Sequence, residues 1–490
     1  MLTLAVLAPL AGAFALAALP GLAPRARGIA TTMAAVPIAL LLLVWATYDA
    51  TDGFSAMAEI SWIPSLGIAW RVGVDGLSLA LALVSALIFV AAIAWPAGVA
   101  HARAYYAWML FLAGVSIGLF VTLDLVIFYV FFDLSLVGMY FLIGRWGHGN
   151  AQASALKFFV YTLAGSLLIL IGIIVLALAM PTLTFDMARI IAEPPLSGTS
   201  SGLVLLALIV GFGIKTPVFP LHTWLPPAHV DAPGPVSAIL AGVLLKMGTY
   251  GLVRIALQML PEAFARHALA IALLGLVSIL WGSVVAYAQE NLNRRIAYTS
   301  VNHMCYVVLG VAVAGSGLGS ETARQLALTG AVVEMVAHAL ITGALFLVAG
   351  AVWQRSSDYD LANFGGLAGK APRLTVLATL AAFASLGLPG LAGFVAELHV
   401  FLGTFAVYPW IAAIGLLGIL VTAALFLSML RQVFFGALPP GRASFTDLTR
   451  TEAWILGLLL ALVVLIGVWP AWLLSLIDAG SLIPSLGEGR

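Results

Sequence analysis

The sequence predicts an all-α protein that crosses a lipid bilayer many times. Of the 490 residues, 63% are hydrophobic and only 8% are charged, whereas a water-soluble domain carries about 25% charged residues. Apolar stretches long enough to span a membrane recur along the whole chain, separated by short polar or Pro/Gly-rich breaks. A soluble fold could not bury this much apolar surface, so the surroundings of the chain must be lipid.

We predict about fourteen transmembrane helices, joined by connections that are too short to form a soluble catalytic domain. The first apolar run is interpreted as a retained helix rather than a signal peptide, because Arg25 and Arg27 follow it instead of preceding it. The predicted helices, numbered in chain order, are 2–22, 28–48, 72–96, 105–123, 125–143, 154–180, 202–225, 232–256, 267–289, 296–315, 323–352, 373–404, 409–436 and 452–477.

The distribution of Lys and Arg predicts the orientation of these helices. If alternate loops share a side, thirteen of these residues fall on the inner side and six on the outer side, and two lie within helices. This bias supports an even number of helices and predicts that both termini lie on the outer side. The outer residues are then Arg71, Arg189, Arg254, Arg266, Arg324 and Arg490.

Two of the predicted helices are interrupted. Pro217 and Pro220 fall inside predicted helix 7, and the run Gly387–Gly390, with Pro389, breaks predicted helix 12. Proline removes a backbone donor and clashes with the preceding turn. Broken helices at corresponding positions in two halves indicate an ion site at an inverted repeat. We therefore predict two inverted five-helix repeats, helices 4–8 and 9–13, within four units: 1–104, 105–256, 267–436 and 452–490.

Ionisable side chains inside these helices are the candidate functional residues. Placing one charge at the bilayer centre costs about 2.5–3.5 kcal/mol, so each residue needs a partner or a function. Together they could form a continuous row of polar groups across the membrane. The candidates for proton transfer are Asp133, Lys215, Lys246 and Glu397, those for relay are His222, His303 and His338, and Glu334 lies where it could tune His338.

A carboxylate near Lys215 would favour its protonated form, so a change in their separation would change the lysine's affinity for a proton. Asp133 is the carboxylate that we expect in this role. Several structural alternatives remain open. Asp133 and Lys215 could be an ion pair that only joins two helices, Lys246 could snorkel to the interface, Glu397 could cap an unwound segment, and the histidines could be hydrogen-bonded core residues.

Other classes of function are excluded or disfavoured. The net charge of +1 argues against nucleic acid as a partner. A single cysteine, Cys305, excludes an intramolecular disulfide and a cysteine-held iron–sulfur cluster or zinc site. The sequence has no dinucleotide-binding, phosphate-binding or zinc-protease motif. We therefore expect no cofactor in this chain.

Long motifs then resemble a known family. The stretch GFGIKTPVFPLHTWLPPAHVDAPGPVSAILAGVLLKMGTYGLVR closely resembles the signature of the antiporter-like membrane subunits of complex I. Mrp-type sodium/proton antiporters and membrane-bound hydrogenases share this family. NRRIAYTSVNHM, MVAHALITGALFLVAG and GLPGLAGFVAE extend the resemblance over most of the chain. Its length is most similar to the branch called subunit M in bacteria and subunit 4 in mitochondria.

The resemblance implies a proton-translocating subunit in the membrane arm of an NADH:quinone oxidoreductase. Quinone, FMN and iron–sulfur clusters are then expected in partner subunits, and other antiporter-like subunits are expected as neighbours. An Mrp-type Na+/H+ antiporter subunit or a hydrogenase subunit is the alternative. Carried over by position, Asp133 matches the carboxylate that pairs with the helix 7 lysine, Lys215, and Lys246 matches the lysine that links two half-channels. His303 and His338 match residues of the connecting axis, and Glu397 matches the terminal acid.

Three positions depart from the family pattern. Asp133 stands where glutamate is usual, so its contact with Lys215 is expected to be longer or bridged by water. Cys305 replaces a small residue, and Glu334 adds an acid where an uncharged side chain is expected.

Overall fold

Helices dominate the computed structural model, which describes residues 1–49, 53–477 and 482–483. Within this described part, twelve helices are long and apolar enough to cross a membrane, and Leu2–Ala18, Pro372–Ser385 and Ala392–Val407 are shorter apolar helices. The prediction of an all-α polytopic membrane protein is confirmed. The count of fourteen crossings remains a prediction, although each predicted segment coincides with helical structure.

The α-helices are numbered here in chain order. They are α1 (Leu2–Ala18), α2 (Ala26–Ala46), α3 (Gly76–Ala94), α4 (Ala102–Val121), α5 (Leu125–Trp146), α6 (Ala151–Ala179), α7 (Met187–Ala192), α8 (Gly198–Lys215), α9 (Leu225–Asp231), α10 (Gly234–Ile239), α11 (Leu245–Gly251), α12 (Pro261–Tyr287), α13 (Leu292–Ala314), α14 (Glu321–Ser356), α15 (Pro372–Ser385), α16 (Ala392–Val407), α17 (Pro409–Phe434), α18 (Arg450–Val468) and α19 (Ala471–Ile477).

A β-hairpin precedes α3, where the sequence predicted a helix from residue 72. Strands β1 (Ser55–Ile63) and β2 (Ile68–Val74) pair antiparallel. The helix begins only at Gly76, where the Asp75 carboxylate accepts a hydrogen bond from the backbone N–H of Ser78 in a capping box. The start predicted for helix 3 is therefore wrong. Apolar residues flank Asp75 on both sides, so hydropathy alone does not separate the strand from the helix.

Predicted helices 7 and 12 are both interrupted in the structure. The first is divided into α8 and α9, and the second into α15 and α16. Side chains satisfy backbone groups at the first break: Trp224 Nε1 donates to the carbonyl of Ile214 (2.8 Å), and Ser278 Oγ accepts from the N–H of Phe219 (3.0 Å). Because lipid cannot make such bonds, these contacts allow irregular backbone to persist between membrane helices.

Predicted helix 8 runs over residues 234–257 and alternates α-helix with two π-helical stretches, Leu240–Leu244 and Leu252–Leu257. Such π-helical insertions are rare and frequently mark functional sites. Every residue of this span is buried, as are residues 330–352 of α14 and all of α13 except Arg294 and Tyr298. These three spans therefore form the centre of the molecule.

Loops that were predicted to share a side do contact one another. At the predicted outer end, Arg71 of the hairpin lies 2.8 Å from Asp124 and 3.7 Å from Asp186, which belong to two different loops. At the other end, Arg355 lies 2.7 Å from Glu452 and so joins two of the predicted inner loops. These contacts agree with the alternation of loops, whereas the side on which the termini lie stays a prediction.

A second ion pair at the predicted inner end joins Asp358 to Arg442, with 2.5 Å between carboxylate and guanidinium. Burial by itself would raise the pKa of the Asp358 carboxyl, but hydrogen bonds from the Asp360 N–H, Asn363 and Arg442 outweigh it. The pKa of Asp358 is therefore lowered from its ordinary value. This loop contact is retained at neutral pH and weakens only as the pH falls through that lowered pKa.

Arg254 was assigned to the outer side at the end of predicted helix 8, and in the structure it is a buried residue of that span. Its side chain is 1% exposed and lies in the second π-helical stretch of the 234–257 span, with one guanidinium nitrogen 2.5 Å from Asp75. Gln258 accepts a second bond from this guanidinium (2.9 Å) and donates to the carbonyl of Leu482. This ion pair was not predicted, because the partner carboxylate is 179 residues distant in sequence. Arg490 lies outside the described residues.

The two predicted repeats share an unusual local feature. Asp124 pairs with Asp186 in an isolated antiparallel bridge, and Asn291 pairs with Asp360 in the same way. Asp124 and Asn291 each cap the helix that follows, α5 in one copy and α13 in the other. The bridges therefore occupy equivalent places in the two copies. This correspondence supports the predicted repeat, whose boundaries remain a prediction.

Candidate functional site

Lys215 lies at the last residue of α8, directly before the first break, and its side chain is 1% exposed. Its ammonium group is 5.1 Å from the ring centroid of Phe132 and 5.6 Å from that of Phe158. The nearest polar side-chain contact is with Ser135 Oγ at 3.5 Å, a long hydrogen bond. Aromatic faces attract a cation. The rings of Phe132 and Phe158 therefore stabilise the ammonium group, which has no directly bonded anion.

Asp133 stands two residues before Ser135 on α5, but it makes no ion pair with Lys215 within 4.0 Å. The carboxylate still acts on the lysine electrostatically. Its Oδ1 is buried without a hydrogen-bond partner. The structure thus places Asp133 near Lys215 but apart from it, as the shorter side chain led us to expect.

Lys246 lies in α11, just after the first π-helical stretch, and is also 1% exposed. Its ammonium group donates to the carbonyl of Ala241 (2.6 Å) and lies 2.6 Å from Nδ1 of His338 on α14. A protonated Lys246 uses Nδ1 as an acceptor, so a neutral His338 then carries its proton on Nε2. Transfer of a proton along this bond leaves the lysine neutral and the imidazole charged.

His303 on α13 forms the next part of the site. Its ring centroid is 5.8 Å from that of His338. Nδ1 lies 3.3 Å from a Glu334 oxygen and 4.0 Å from a Glu397 oxygen, and Nε2 lies 3.1 Å from Ser385 Oγ. Two acids therefore share one imidazole, whose other edge reaches the last residue of α15 at the second break.

Glu334 has a different partner from the one that the sequence suggested. We expected it to act on His338, four residues later on the same helix, but its contact is with His303 on α13. It also acts electrostatically on Lys246. The spacing within one helix indicated the nearer histidine, whereas the packing of α13 against α14 selects the other.

Glu397 lies on α16, in the second turn after the break, and is 6% exposed. Its carboxylate packs directly against Gly387, so a Cβ on that glycine would overlap it. Gly387 has φ = +76°, which glycine adopts without the steric cost that other residues incur. The break thus supplies both the turn and the space that Glu397 occupies.

His222 is not joined to these groups by any described contact. It is 4% exposed, and its Nδ1 has no hydrogen-bond partner. Its neighbouring rings are Phe219 and Tyr298, each with its centroid 5.9 Å from the imidazole. Among the seven predicted site residues, the structure therefore brings Lys246, His338, His303 and Glu397 together and leaves His222 apart.

A packed boundary lies between Lys215 and the Lys246 cluster. Thr216, the residue after Lys215, has a buried hydroxyl without a hydrogen-bond partner. A Cβ on Gly248, two residues after Lys246, would come 2.6 Å from that hydroxyl. Only glycine permits this close approach of the two helices. Thr216 therefore lies in the contact between α8 and α11, the helices that carry the two lysines.

Sequence reasoning missed two polar groups beside the site. Ser385 could be identified only from its contact with His303, which the sequence does not reveal. His229 on α9 is 0% exposed, neither ring nitrogen has a hydrogen-bond partner, and it acts electrostatically on Lys246. Its position seven residues after His222, behind a Pro-Pro pair, is the sequence signal that could have identified it. Within the described ranges, no group of three His, Cys, Asp or Glu could hold a metal ion.

Comparisons with known proteins agree on one family. Residues 122–426 match the sequence profile of a family described as NADH:quinone oxidoreductase/Mrp antiporter, transmembrane. The chain is 40% identical over 451 residues to an NAD(P)H-quinone oxidoreductase chain 4 from Synechococcus sp. strain JA-2-3B'a(2-13), covering 90% of this chain and 83% of that relative.

Solved structures give the same result for the fold. A chain of respiratory complex I from Thermus thermophilus with bound NADH matches with a TM-score of 0.89 and 30% identity, over 99% of this chain and 100% of that one. A chain of the Mrp complex from Dietzia sp. DQ12-45-1b matches with a TM-score of 0.86 at 21% identity, over 98% and 96%. The second similarity concerns the fold alone.

Proposed function

This chain belongs to the NADH:quinone oxidoreductase/Mrp antiporter family, and from that membership we propose that it is a proton-translocating subunit of the membrane arm of an NADH:quinone oxidoreductase. Quinone reduction takes place in other subunits, which carry the FMN, iron–sulfur clusters and quinone site. The chain functions in the bacterial inner membrane beside other antiporter-like subunits, with both termini on the outer side.

The observation that carries this proposal is the row of buried ionisable groups from Lys246 through His338 and His303 to Glu397. Consecutive members belong to different helices, and they lie at the centre of the bundle. A charge placed in a membrane is costly, so a contiguous row of such groups favours a proton path over a scaffold. Glu334 adds a second acid to the row.

Each residue of the site has a separate role in proton transfer. The negative charge of Asp133 favours the protonated form of Lys215, so a change in the distance between them changes the protonation of the lysine. Lys246 passes a proton to His338 Nδ1, and the histidine pair carries it toward the two carboxylates. Glu397, held against the break in predicted helix 12, is the terminal group. Conformational change at either break alters these distances, which couples proton movement to events elsewhere in the complex.

The Mrp-type antiporter and hydrogenase alternatives have weaker support. The relatives at 40% and 30% identity are parts of quinone oxidoreductases or of complex I, whereas the Mrp chain shares 21% identity. An Mrp-type protein would exchange sodium for protons without an electron donor.

Lys246→Met tests the proposal, with Lys157→Met as the matched control. Lys157 is an exposed lysine near the start of α6, so its removal takes away one positive charge without touching the row. The NADH:quinone reductase rate and proton uptake are measured together in native membranes, and assembly is checked on a native gel. We expect Lys246→Met to lower both rate and uptake strongly in an assembled complex, while the control retains them.

Two outcomes contradict the proposal. Normal pumping in assembled Lys246→Met would show that the row does not carry protons. Sodium-dependent proton exchange in unaltered membranes without any NADH-linked activity would assign the chain to the antiporter alternative.

A further inference from the structure

A groove between α8 and α12 has the features of a phospholipid site. Its cavity volume is about 670 Å³, within the range of roughly 300–1,000 Å³ that is usual for small-molecule sites. The two helices begin at the same end of the molecule, and the residues that line the groove come from their first halves. The lining residues include Leu203, Leu206, Ile209, Ala270 and Leu274 along its length, and Thr199, Arg266 and His267 near the helix starts.

The chemistry of the groove changes along its axis. The deeper part is aliphatic, and Leu203 and Leu206 are 64% and 60% exposed in the isolated chain. The part near the helix starts has the guanidinium of Arg266, the imidazole of His267 and the hydroxyl of Thr199. An apolar trough that ends in cationic and hydroxyl groups matches a molecule with an acyl chain at one end and a phosphate at the other.

The length of the groove fits one leaflet of a bilayer. Thr199 and Ile209 are ten residues apart on α8, which corresponds to about 15 Å at the rise of an α-helix. The hydrocarbon core of a bilayer is about 30 Å thick, so this is about half of it. An acyl chain in the groove would thus run from the interface to the middle of the membrane.

Arg266 has no anionic partner within the described chain. No carboxylate lies within 4.0 Å of its guanidinium, and this includes Glu262, one turn earlier on α12. His267 Nδ1 bonds to the carbonyl of Ala263 (2.9 Å), which fixes the ring over Gly202, where a Cβ would lie 3.7 Å from the imidazole. An available guanidinium beside an oriented imidazole is suited to a phosphate oxygen.

From these features we infer that the α8–α12 groove binds an anionic phospholipid, with its phosphate at Arg266 and His267 and one acyl chain along Leu203, Leu206 and Leu274. This site is separate from the buried proton row and does not depend on the proposed function. It lies at the outer end of the helices in the predicted orientation.

Photo-crosslinking tests the inference in the assembled complex. A benzoylphenylalanine replaces Leu206 in the groove or, as a control, Leu178 on α6, which is 68% exposed. Both complexes are reconstituted into bilayers of equal parts phosphatidylglycerol and phosphatidylcholine and irradiated, and the lipid adducts are identified by mass spectrometry. We expect phosphatidylglycerol to be enriched severalfold at position 206 relative to position 178.

Charge removal then identifies the headgroup contact. Arg266→Gln is expected to abolish the enrichment at position 206, whereas Arg294→Gln, which removes an exposed arginine on α13, is expected to preserve it. Equal amounts of the two lipids at position 206, or enrichment that survives Arg266→Gln, would overturn the inference. A protein adduct at position 206 in native membranes would also overturn it, because a neighbouring subunit would then occupy the groove.

Discussion

The two halves of the candidate site hold their charges in different ways. In the first half, Lys215 lies among the rings of Phe132 and Phe158, and Asp133 is near it but not bonded to it. In the second half, neighbouring ionisable groups lie within 2.6–4.0 Å of one another or, for the two histidines, have adjacent rings. The ionisable groups of the first half are therefore not in direct contact, whereas those of the second half form a contiguous row.

This difference indicates two tasks. A separated pair responds strongly to small movements, because the interaction between two charges in a medium of low dielectric constant changes steeply with distance. A joined row changes less when one helix moves, but it provides a route for a proton. The first half is therefore suited to sensing a change, and the second half is suited to conduction. Four sets of substitutions test this division, from the largest expected effect to the smallest.

His338→Leu should have the largest effect, because it removes the acceptor at 2.6 Å from Lys246. The buried ammonium would retain only the carbonyl of Ala241, at a cost of about 1–3 kcal/mol for the lost partner, which corresponds to roughly fivefold to 150-fold in rate. Proton uptake and NADH:quinone reductase rate are the measurements. His399→Leu is the control, since His399 bonds only to the carbonyl of Val395 in its own helix. Equal losses in the two variants would contradict a conducting role for His338.

Asp133→Asn and Asp133→Glu test the separated pair. The amide removes the charge that acts on Lys215, so we expect a loss of about fivefold in coupled turnover, consistent with a partly screened interaction between charges. The glutamate restores the charge and can extend closer to the lysine, so turnover should equal or exceed that of the unaltered protein. If both variants lose activity equally, packing at this position matters and its charge does not.

Gly387→Ala should have a moderate effect on the joined half. The new methyl group would overlap the carboxylate of Glu397, whereas Gly390→Ala, in the same break, would find open space. Both glycines have positive φ, +76° and +89°, so both substitutions incur backbone strain of about 1–2 kcal/mol. Proton uptake should fall further in Gly387→Ala than in Gly390→Ala, and thermal unfolding of the purified complex checks that the strain is comparable. Equal uptake would show that displacement of Glu397 has no effect.

Removal of two serine hydroxyls should give the smallest changes. Ser385 lies 3.1 Å from His303 Nε2 in the joined half, and Ser135 lies 3.5 Å from Lys215 in the separated half. A neutral hydrogen bond contributes about 0.5–1.5 kcal/mol, so Ser385→Ala should slow coupled turnover by about threefold and Ser135→Ala by less. A larger loss in Ser135→Ala than in Ser385→Ala would mean that Lys215 depends on the Ser135 hydroxyl more than His303 depends on the Ser385 hydroxyl.

The sequence was sufficient for the membrane spans and for most of the polar groups. Long apolar runs predict spans directly, and buried ionisable residues such as Lys215 and Lys246 are conspicuous in them. The two helix breaks also follow from local residues, because Pro217 and Pro389 cannot continue a helix.

The partners of those groups could not be predicted, because partners are set by packing between helices that are distant in sequence. Glu334 was assigned to the histidine on its own helix, yet it contacts His303 on another. The hairpin before α3 was missed because β2 and α3 are both largely apolar, with only Arg71 and Asp75 to interrupt them. Periodicity describes a helix, but it does not specify which neighbour that helix will meet.

The Arg254–Asp75 pair has a consequence for the synthesis of the chain. Ribosomes deliver the N-terminus first, so Asp75 and α3 leave the ribosome well before Arg254. A charged side chain in an inserting helix is costly, and Arg254 enters when its counter-charge has already been made. Gln258, one turn later, waits much longer, because the carbonyl of Leu482 that accepts its hydrogen bond is 224 residues further along the chain. The cluster around Arg254 can therefore be completed only after Leu482 has been translated.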